Sequence, residues 1–405
     1  MKIAVIGAGI IGVTTAYELS RDGHEVTVLE RCGAAAEEAS FANAGIVAPG
    51  MPSREISRFF SHRHPIRLSL PISAHELVWF WKWHRARRLD RNRAQRQSLA
   101  SYSRERLHRI TADLKLDYER SEGVLMLLRS EHDSKMMQAG LQLLREAGQD
   151  FKELSALDTR KLEPALSPDT PFFGAIQLID AEVANCRQFA LLLKNESQRR
   201  GVKFAFNTEV AHISGAGGVT LTVAGETSAH PYDAIVICAG ANSARLLGAL
   251  GIKMALAAVH GYSISAPIRE PLNAPRSGII DRRHQVAITR LGNRVRVSGL
   301  AELGGAPGQN RADALQTLYR VLHDWFPGAA KLSSGVQEWK GACPMLPDGA
   351  PLVGASGVPG LWLNLGHGAS GWALSCGSAR ALADLMAGKA PEMDLNGLGI
   401  ERLAR

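Results

Sequence analysis

The feature that most constrains the fold of this sequence is a glycine motif close to its first residue. Gly7-Ala8-Gly9-Ile10-Ile11-Gly12 has the form G-x-G-x-x-G and separates an apolar strand pattern at 3–7 from a helical pattern at 13–22. Residues 24–30 then alternate as a second strand. A strand, a helix and a strand in this order form a right-handed crossover, in which the two strands are parallel. The pattern predicts an α/β protein with a Rossmann-like parallel sheet.

Each glycine of this motif has its own structural role. Gly7 permits the tight turn, Gly9 lets a pyrophosphate approach the backbone, and Gly12 lets the helix pack against the strand. The N–H groups at the positive end of the helix bind the pyrophosphate. Glu30 ends the second strand, 18 residues after Gly12, where a carboxylate can accept hydrogen bonds from ribose hydroxyls. The motif in this context therefore predicts a dinucleotide site.

A second strand, glycine loop and helix lies at 361–387. Its loop reads Gly366-His367-Gly368-Ala369-Ser370-Gly371 and offers backbone N–H groups and a helix N-terminus to another polar part of a ligand. In a flavin these groups would reach the ribityl chain or the O2 edge of the ring, where a positive dipole stabilises the anionic reduced form. The structural alternative is an ordinary turn packed beneath the first helix.

Composition excludes several classes of protein. With 405 residues, 45% apolar and 21% charged, the chain is too long for one core and is not a disordered protein. An unbroken apolar stretch of membrane-spanning length is absent, and glycines interrupt the apolar start, which argues against a secretion signal. The five cysteines are scattered and form no C-x-x-C, which argues against a disulfide framework or a metal site. We expect a cytoplasmic protein.

Positive charge is concentrated in one segment. Residues 54–109 carry 14 Lys or Arg against 4 Asp or Glu, a net charge of +10, while the whole chain has +8. Tryptophans precede the arginines there, so residues 76–96 can contact an anionic membrane at its inner face or a partner subunit. A solvated helix face with some buried tryptophans is the alternative. No nucleic-acid motif is present in the sequence, so we expect no nucleic-acid partner.

Several segments match the pattern of one enzyme family. They are 5–12, 40–45, 260–263, 286–290, 347–349, 366–368 and 376–378. The sequence resembles the FAD-dependent D-amino-acid dehydrogenases, within the wider group of D-amino-acid oxidase, glycine oxidase and sarcosine oxidase. The resemblance covers nearly the whole chain. It implies an FAD-binding domain over 1–75, 184–255 and 336–405, and a substrate domain, built on an antiparallel sheet with helices, over 76–183 and 256–335.

The resemblance also implies which residues bind FAD. The expected contacts are Gly7, Ala8, Gly9, Ile10, Ile11, Gly12, Glu30 and Arg31 for the ADP half; Ser40, Asn43, Ala44 and Gly45 for the pyrophosphate and flavin; Val210, Ala239 and Gly240 for the nucleotide; and Gly366, His367, Gly368, Ala369, Ser370 and Gly371 for the ring. Since the last loop contains no cysteine, we expect FAD to be bound non-covalently.

The activity implied is oxidation of the Cα–N bond of a small amino or imino acid, D-amino acid-like, to an imine by hydride transfer to flavin N5. A quinone or another acceptor would then take the electrons. Two alternatives stay open: an oxygen-using oxidase of N-substituted glycines such as sarcosine or iminodiacetate, and the flavin subunit of a multi-subunit amine or opine dehydrogenase. A nicotinamide-only Rossmann enzyme is the weakest interpretation.

The candidate catalytic residues are Tyr262, Arg290 and His367. An arginine binds a substrate carboxylate well because its guanidinium can donate two parallel hydrogen bonds. Relatives carry this arginine in a Gly-x-Arg-Pro motif, whereas this sequence has Cys343 at that position. Either Arg290 takes over the carboxylate or the substrate is a different amine. The nearby run Arg282-Arg283-His284 precedes a strand of the hairpin and has two interpretations. An exposed cationic turn is favoured, and the alternative is that these residues line the entrance of the site.

Overall fold

The computed structural model describes residues 1–48, 66–86, 92–146, 148–306 and 310–404. The strands are β1 Lys2–Ile6, β2 Glu25–Leu29, β3 Ile46–Val47, β4 Arg67–Ser69, β5 Arg120–Leu128, β6 Phe151–Ser155, β7 Gly174–Ala184, β8 Lys203–Ala205, β9 Val210–Ser214, β10 Val219–Val223, β11 Ala229–Tyr232, β12 Ala234–Ile237, β13 Ala257–Pro267, β14 Gly278–Asp281, β15 Val286–Leu291, β16 Arg294–Gly304, β17 Gln337–Met345, β18 Leu352–Ala355 and β19 Leu361–Leu365. The α-helices are α1 Ile10–Arg21, α2 Ala74–Ala86, α3 Arg93–Leu114, α4 Glu131–Glu146, α5 Ala156–Leu162, α6 Cys186–Arg199, α7 Ser243–Gly248, α8 Ala312–Trp325 and α9 Gly371–Met386.

A six-stranded sheet contains the predicted Rossmann-like unit. Its strand order is β18-β19-β12-β1-β2-β8, and every neighbouring pair is parallel except β18 with β19. The run Ile3 to Ile6 is buried because helices and further elements cover both faces, which explains why it reads as continuously apolar. At position 12 a Cβ atom would lie 1.8 Å from the Gly7 carbonyl oxygen, so only glycine lets α1 approach β1 this closely.

The second main part of the fold is a larger, mostly antiparallel sheet. Its order is β17-β13-β16-β15-β14-β5-β7-β3, with β4 paired to β16 and β6 to β7. Helix α8 packs its apolar side, including Leu318, Val321 and Trp325, on one face of this sheet. The two sheets together confirm the predicted fold class.

The predicted domain boundaries run through this larger sheet. Strands β3 and β4 lie within 1–75 and β17 lies within 336–405, ranges expected for the FAD domain, yet all three pair with strands of the larger sheet. The domain division itself stays a prediction.

A buried cluster of charged side chains joins helices α1, α3 and α9 next to the six-stranded sheet. Glu18 on α1 is fully buried and accepts two hydrogen bonds from Arg106 on α3, each 2.7 Å long, and one of 3.0 Å from Arg380 on α9. A buried carboxylate is tolerated only when it is paired in this way. The cluster therefore fixes the first helix of the glycine motif against the helix that follows the second glycine loop.

Candidate active site

A cavity of about 430 Å³ lies between the two sheets. On one side it is lined by residues at the carboxyl ends of the parallel strands, among them Ile6, Leu29, Cys238 and Leu365. Ligands of open α/β sheets bind at this edge. On the other side it is lined by one face of the antiparallel sheet, including Ile280, Ala287 and Ser298. The two predicted glycine loops thus lie on one wall of a shared cavity.

Most of the predicted cofactor residues line this cavity. They are Gly7, Gly9, Ile10, Ile11, Glu30, Arg31, Ser40, Asn43, Ala44, Gly45, Val210, Ala239, Gly240, Gly366, His367, Gly368, Ala369, Ser370 and Gly371. Ala8 and Gly12 are not among the described lining residues. Ala8 is fully buried behind the loop, and Gly12 packs against Gly7.

The geometry of the first glycine loop fits a dinucleotide. Gly7 has φ +102°, and a Cβ there would lie 2.5 Å from the Cys238 carbonyl oxygen, so the position accepts only glycine. The carboxylate of Glu30 accepts hydrogen bonds from the N–H groups of Ala8 at 2.6 Å and Cys32 at 2.8 Å. Ser40 Oγ accepts from the N–H of Ile10, in the first turn of α1, at 3.1 Å. The Glu30 carboxylate and the Ser40 hydroxyl therefore lie close to the glycine loop. A bound ribose or pyrophosphate could replace the hydrogen bonds that these groups now make with the backbone.

The second glycine loop contributes a neutral histidine. His367 is buried, and its Nε2 lies 3.0 Å from Ser378 Oγ on α9. Burial lowers the pKa of His367 to about 3, because a charged imidazolium would lose its hydration. His367 thus lies on the cavity wall as an uncharged imidazole at neutral pH.

The sheet side of the cavity carries hydroxyl groups in a row. Ala287, Ser298, Ser263 and Trp339 are register partners across β15, β16, β13 and β17, so their side chains share one face. The Oγ atoms of Ser263 and Ser298 are buried and have no hydrogen-bonding partner among the described residues. Since buried hydroxyls normally have partners, Ser298, which lines the cavity, is a candidate contact for a bound molecule.

Two predicted catalytic residues lie on the opposite face of this sheet. Side chains alternate along a strand, so Tyr262 points away from the Ser263 face and its hydroxyl donates to the buried carboxylate of Glu302. Arg290 likewise alternates with Ala287, and its guanidinium reaches the carbonyl oxygens of Gly292 and Pro271 at 3.4 and 3.5 Å. Neither is among the described lining residues, so the structure does not bring Tyr262 or Arg290 to the cavity that contains His367.

The cationic turn after β14 differs from the sequence-based expectation. Arg283 is half-exposed and pairs with Asp133 at 2.8 Å, as expected for a surface turn. Arg282, in contrast, is only 9% exposed and lines the cavity. The favoured interpretation, an exposed turn, is wrong for Arg282, and the alternative that these residues line the entrance agrees with its position. Arg282 comes directly after the last residue of β14, and its side chain continues the alternation that places Ile280 on the cavity face. The alternation of side chains along β14 could have predicted the position of Arg282. That prediction would have required knowing which face of the sheet is covered by α8.

Position 343 lies on the same wall. Cys343 lines the cavity together with Ala342 and Pro344 of the edge strand β17. Burial raises the pKa of its thiol to about 11, so it is uncharged at neutral pH. The side chain at this position therefore supplies neither a cation nor a strong hydrogen-bond donor.

The parallel sheet and the glycine loop at the cavity define a dinucleotide-binding protein of the Rossmann type. A sequence model of the FAD dependent oxidoreductase family, DAO, matches residues 2–385. The chain belongs to this family, and it is an FAD-dependent oxidoreductase.

Curated relatives match the chain over its full length. One named D-amino acid dehydrogenase, from Cereibacter sphaeroides, is 38% identical over 419 residues, which cover 100% of this chain and 96% of the relative. Another of the same name, from Bradyrhizobium diazoefficiens, is 36% identical over 418 residues, covering 100% of this chain and 99% of the relative. The relatives thus share both halves of the fold with this chain.

Solved structures share the same architecture. Glycine oxidase from Geobacillus kaustophilus superimposes with a TM-score of 0.78 at 22% identity, covering 98% of this chain and 97% of that one. Iminodiacetate oxidase from Chelativorans sp. BNC1 gives a TM-score of 0.74 at 19% identity, covering 98% of both chains. At these identities the likeness establishes the fold.

Among the described residues, no helix is both long and apolar enough to cross a membrane.

Proposed function

We propose that this enzyme oxidises the Cα–N bond of a small amino or imino acid of D-amino acid type to an imine. The observation that carries the proposal is the cavity with two unlike walls: one has the glycine loops and the other presents the buried hydroxyl of Ser298, next to Ser263 on the same sheet face. A small polar substrate that lies between them would contact both walls. The names of the full-length relatives support the same substrate class.

The residues of the cavity divide the work of binding. We propose that the glycine motif, Glu30 and Arg31 hold the ADP half of FAD non-covalently. In this proposal the 40–45 segment runs along the pyrophosphate and flavin, and the loop at 366–371 lies along the ring. FAD, when bound, supplies the two-electron acceptor for the C–N oxidation. The chain's own contribution is to orient the substrate, exclude water and keep His367 neutral next to the reacting groups. Because of their position on the far face, Tyr262 and Arg290 are not part of this proposal.

The proposal is tested by anaerobic reduction of the bound flavin. The purified enzyme is mixed with D-alanine, D-proline, D-hydroxyproline, sarcosine, iminodiacetate, glycine and L-alanine, and bleaching of the flavin absorbance is followed. We expect a D-amino or D-imino acid to bleach it fastest. If dithionite bleaches the flavin and none of these compounds does, the proposed substrate class is wrong.

A second candidate follows from Cys343. Without the arginine that relatives carry there, the wall near β17 leaves space for an N-substituent, which favours N-substituted glycines. Faster bleaching by sarcosine or iminodiacetate than by D-alanine would support this candidate. Rapid peroxide formation in aerated buffer would identify oxygen as the acceptor, and its absence would favour a dehydrogenase that reduces a quinone or another acceptor.

We further propose that helix α2 contacts an anionic membrane surface, where a quinone acceptor would be reached. Trp79 and Trp83 are buried beneath the helix, whereas Val78 and Trp81 are 52% and 61% exposed. The guanidinium of Arg85 lies 5.8 Å from the Trp81 ring. Exposed apolar groups beside cations suit an anionic interface. The rest of the predicted 76–96 segment includes 87–91, which lie outside the described residues.

The membrane proposal is tested by sedimentation with vesicles. The wild-type enzyme should sediment with phosphatidylglycerol vesicles and not with phosphatidylcholine vesicles, and W81S should lose this binding. The control is L272S, since Leu272 is 84% exposed in the turn Pro271–Asn273, outside α2. Equal binding of all three proteins would contradict a contact through α2.

A further inference from the structure

A substrate carboxylate needs a positive partner that the family's usual position does not provide. Cys343 carries an uncharged thiol, so the wall at β17 cannot neutralise a carboxylate in a cavity with reduced access to water. If the substrate is an amino or imino acid, another cation of the cavity has to bind its carboxylate.

The described lining residues offer only two cationic side chains, Arg31 and Arg282. Arg31 follows β2 at the nucleotide end of the cavity and makes an ion pair with Glu38. His367 is uncharged at neutral pH. Arg282 is therefore the one described cation that lines the sheet wall of the cavity.

Hydrogen bonds hold the backbone that carries Arg282. It follows Asp281, the last residue of β14, and its own N–H donates to the Leu127 carbonyl oxygen at 3.3 Å. Asp281 points to the opposite face, where it accepts hydrogen bonds from Arg129 Nε and Trp325 Nε1, each 2.8 Å long. These contacts fix the backbone from which Arg282 extends into the cavity. Burial lowers the pKa of Arg282 to about 10, with Asp281 and Asp133 opposing the shift, so the guanidinium stays charged at neutral pH.

The wall around Arg282 suits a small carboxylated amine. Ile280, Ala287 and Ser298 line the cavity from the same sheet, and Gln285 lines it from the turn between β14 and β15. The cation is therefore accompanied by a side-chain amide, a hydroxyl and apolar groups. A guanidinium in such surroundings binds a carboxylate strongly and with defined geometry.

We propose that Arg282 binds the substrate carboxylate and replaces, from β14, the arginine that relatives carry on β17. This inference rests on the proposed function, because it assumes an amino or imino acid substrate. It means that the carboxylate lies on the β14–β15 side of the cavity and that the space beside Cys343 receives another part of the substrate.

The test compares R282M with R283M in the FAD-loaded enzyme. Arg283 is the matched control, since it is the next residue in the same turn but pairs with Asp133 at the surface. For the amino acid that bleaches the wild-type flavin, anaerobic stopped-flow gives an apparent Kd and a limiting rate. We expect R282M to raise the apparent Kd by about tenfold or more, as for loss of a charged hydrogen bond, and R283M to leave it within twofold.

A second probe does not depend on turnover. Propionate, a carboxylate without an amine, should perturb the flavin absorbance of the wild type and of R283M, and should fail to do so in R282M. R282M/C343R should regain propionate binding, because it returns a guanidinium to the cavity from the other strand. If R282M loses FAD, R282K replaces it and should bind propionate more weakly than the wild type.

The outcomes separate the two proposals. If no amino or imino acid bleaches the wild-type flavin, the proposed function fails, while the propionate titrations still decide whether Arg282 is an anion site. If substrates bleach the wild type, and R282M or R282K binds both substrate and propionate as the wild type does, the role of Arg282 is refuted and the proposed function stands.

Discussion

Asp281→Asn is the substitution that tests most directly how the substrate wall is held. The carboxylate of Asp281 is fully buried and accepts hydrogen bonds from Arg129, from Trp325, and from the backbone N–H of His284 at 3.0 Å. Burial alone would raise the pKa of Asp281, but hydrogen bonds and charge from His284 and Arg129 hold it well below its usual value. An amide of the same shape removes the charge and turns an acceptor into a donor.

The expected loss of stability depends on which partners the buried groups keep after the Asp281→Asn substitution. Breaking a buried ion pair on one side costs about 3–5 kcal/mol. Arg129 keeps a second carboxylate, Asp324, at 2.7 Å, so it is not left as an unpaired buried cation. We therefore expect a loss of about 3 kcal/mol in the free energy of unfolding, at the lower end of that range. For D324N, whose side chain is 28% exposed, we expect less than about 1 kcal/mol.

The assay is urea unfolding at a fixed FAD concentration, followed by tryptophan fluorescence for the wild type, D281N and D324N. The folded-state pKa of Asp281 is depressed, so its stabilisation is fully present above the unfolded pKa of about 3.9 and is lost as the pH falls toward the folded value. The difference between wild type and D281N should be constant from pH 8 to about 5 and narrow below about 4. A D281N protein no less stable than D324N, or a difference that grows on acidification, would refute the reasoning.

Two further predictions concern the cofactor wall. Gly12→Ala should prevent FAD retention, because the added Cβ would lie 1.8 Å from the Gly7 carbonyl oxygen. The ratio of flavin to protein absorbance measures how much FAD is retained. Gly248→Ala, which adds a Cβ in open space, is the control and should retain FAD. His367→Gln should leave the pH profile of flavin reduction between pH 5 and 8 unchanged within about 0.3 units, because burial already keeps His367 neutral there; disappearance of a titration step in the variant would contradict this assignment.

The Rossmann half could be predicted from local patterns. Three features lie within about thirty residues of one another: the glycine spacing at 7–12, the apolar run before it and the acid at Glu30. Each of them predicts a local structure, namely a turn, a strand or the end of a strand. The loop at 366–371 could be placed by the same reasoning, because a strand precedes it and a helix follows it. These features needed no knowledge of long-range contacts.

The substrate wall could not be predicted in the same way. Alternation along β13 and β15 divides their residues into two faces, but the sequence does not say which face α8 covers. Tyr262 and Arg290, the residues predicted to be catalytic, lie on the α8 side of the sheet. Ser263, Ser298 and Arg282 lie on the side that faces the cavity. The Glu18 cluster was also beyond local patterns, since Arg380 lies 362 residues away in the sequence.

The central position of β1 in its sheet has a consequence for the order in which the protein can mature on the ribosome. Strand β1 is synthesised well before its neighbour β12, which ends at Ile237, and before β19 and α9, which line the cavity next to it and end at Leu365 and Met386. Pairing across such sequence separations is slow and leaves apolar strand edges uncovered until the partners emerge. The cofactor cavity therefore stays incomplete until β19 and α9 have been synthesised, and we expect full FAD binding only after that point.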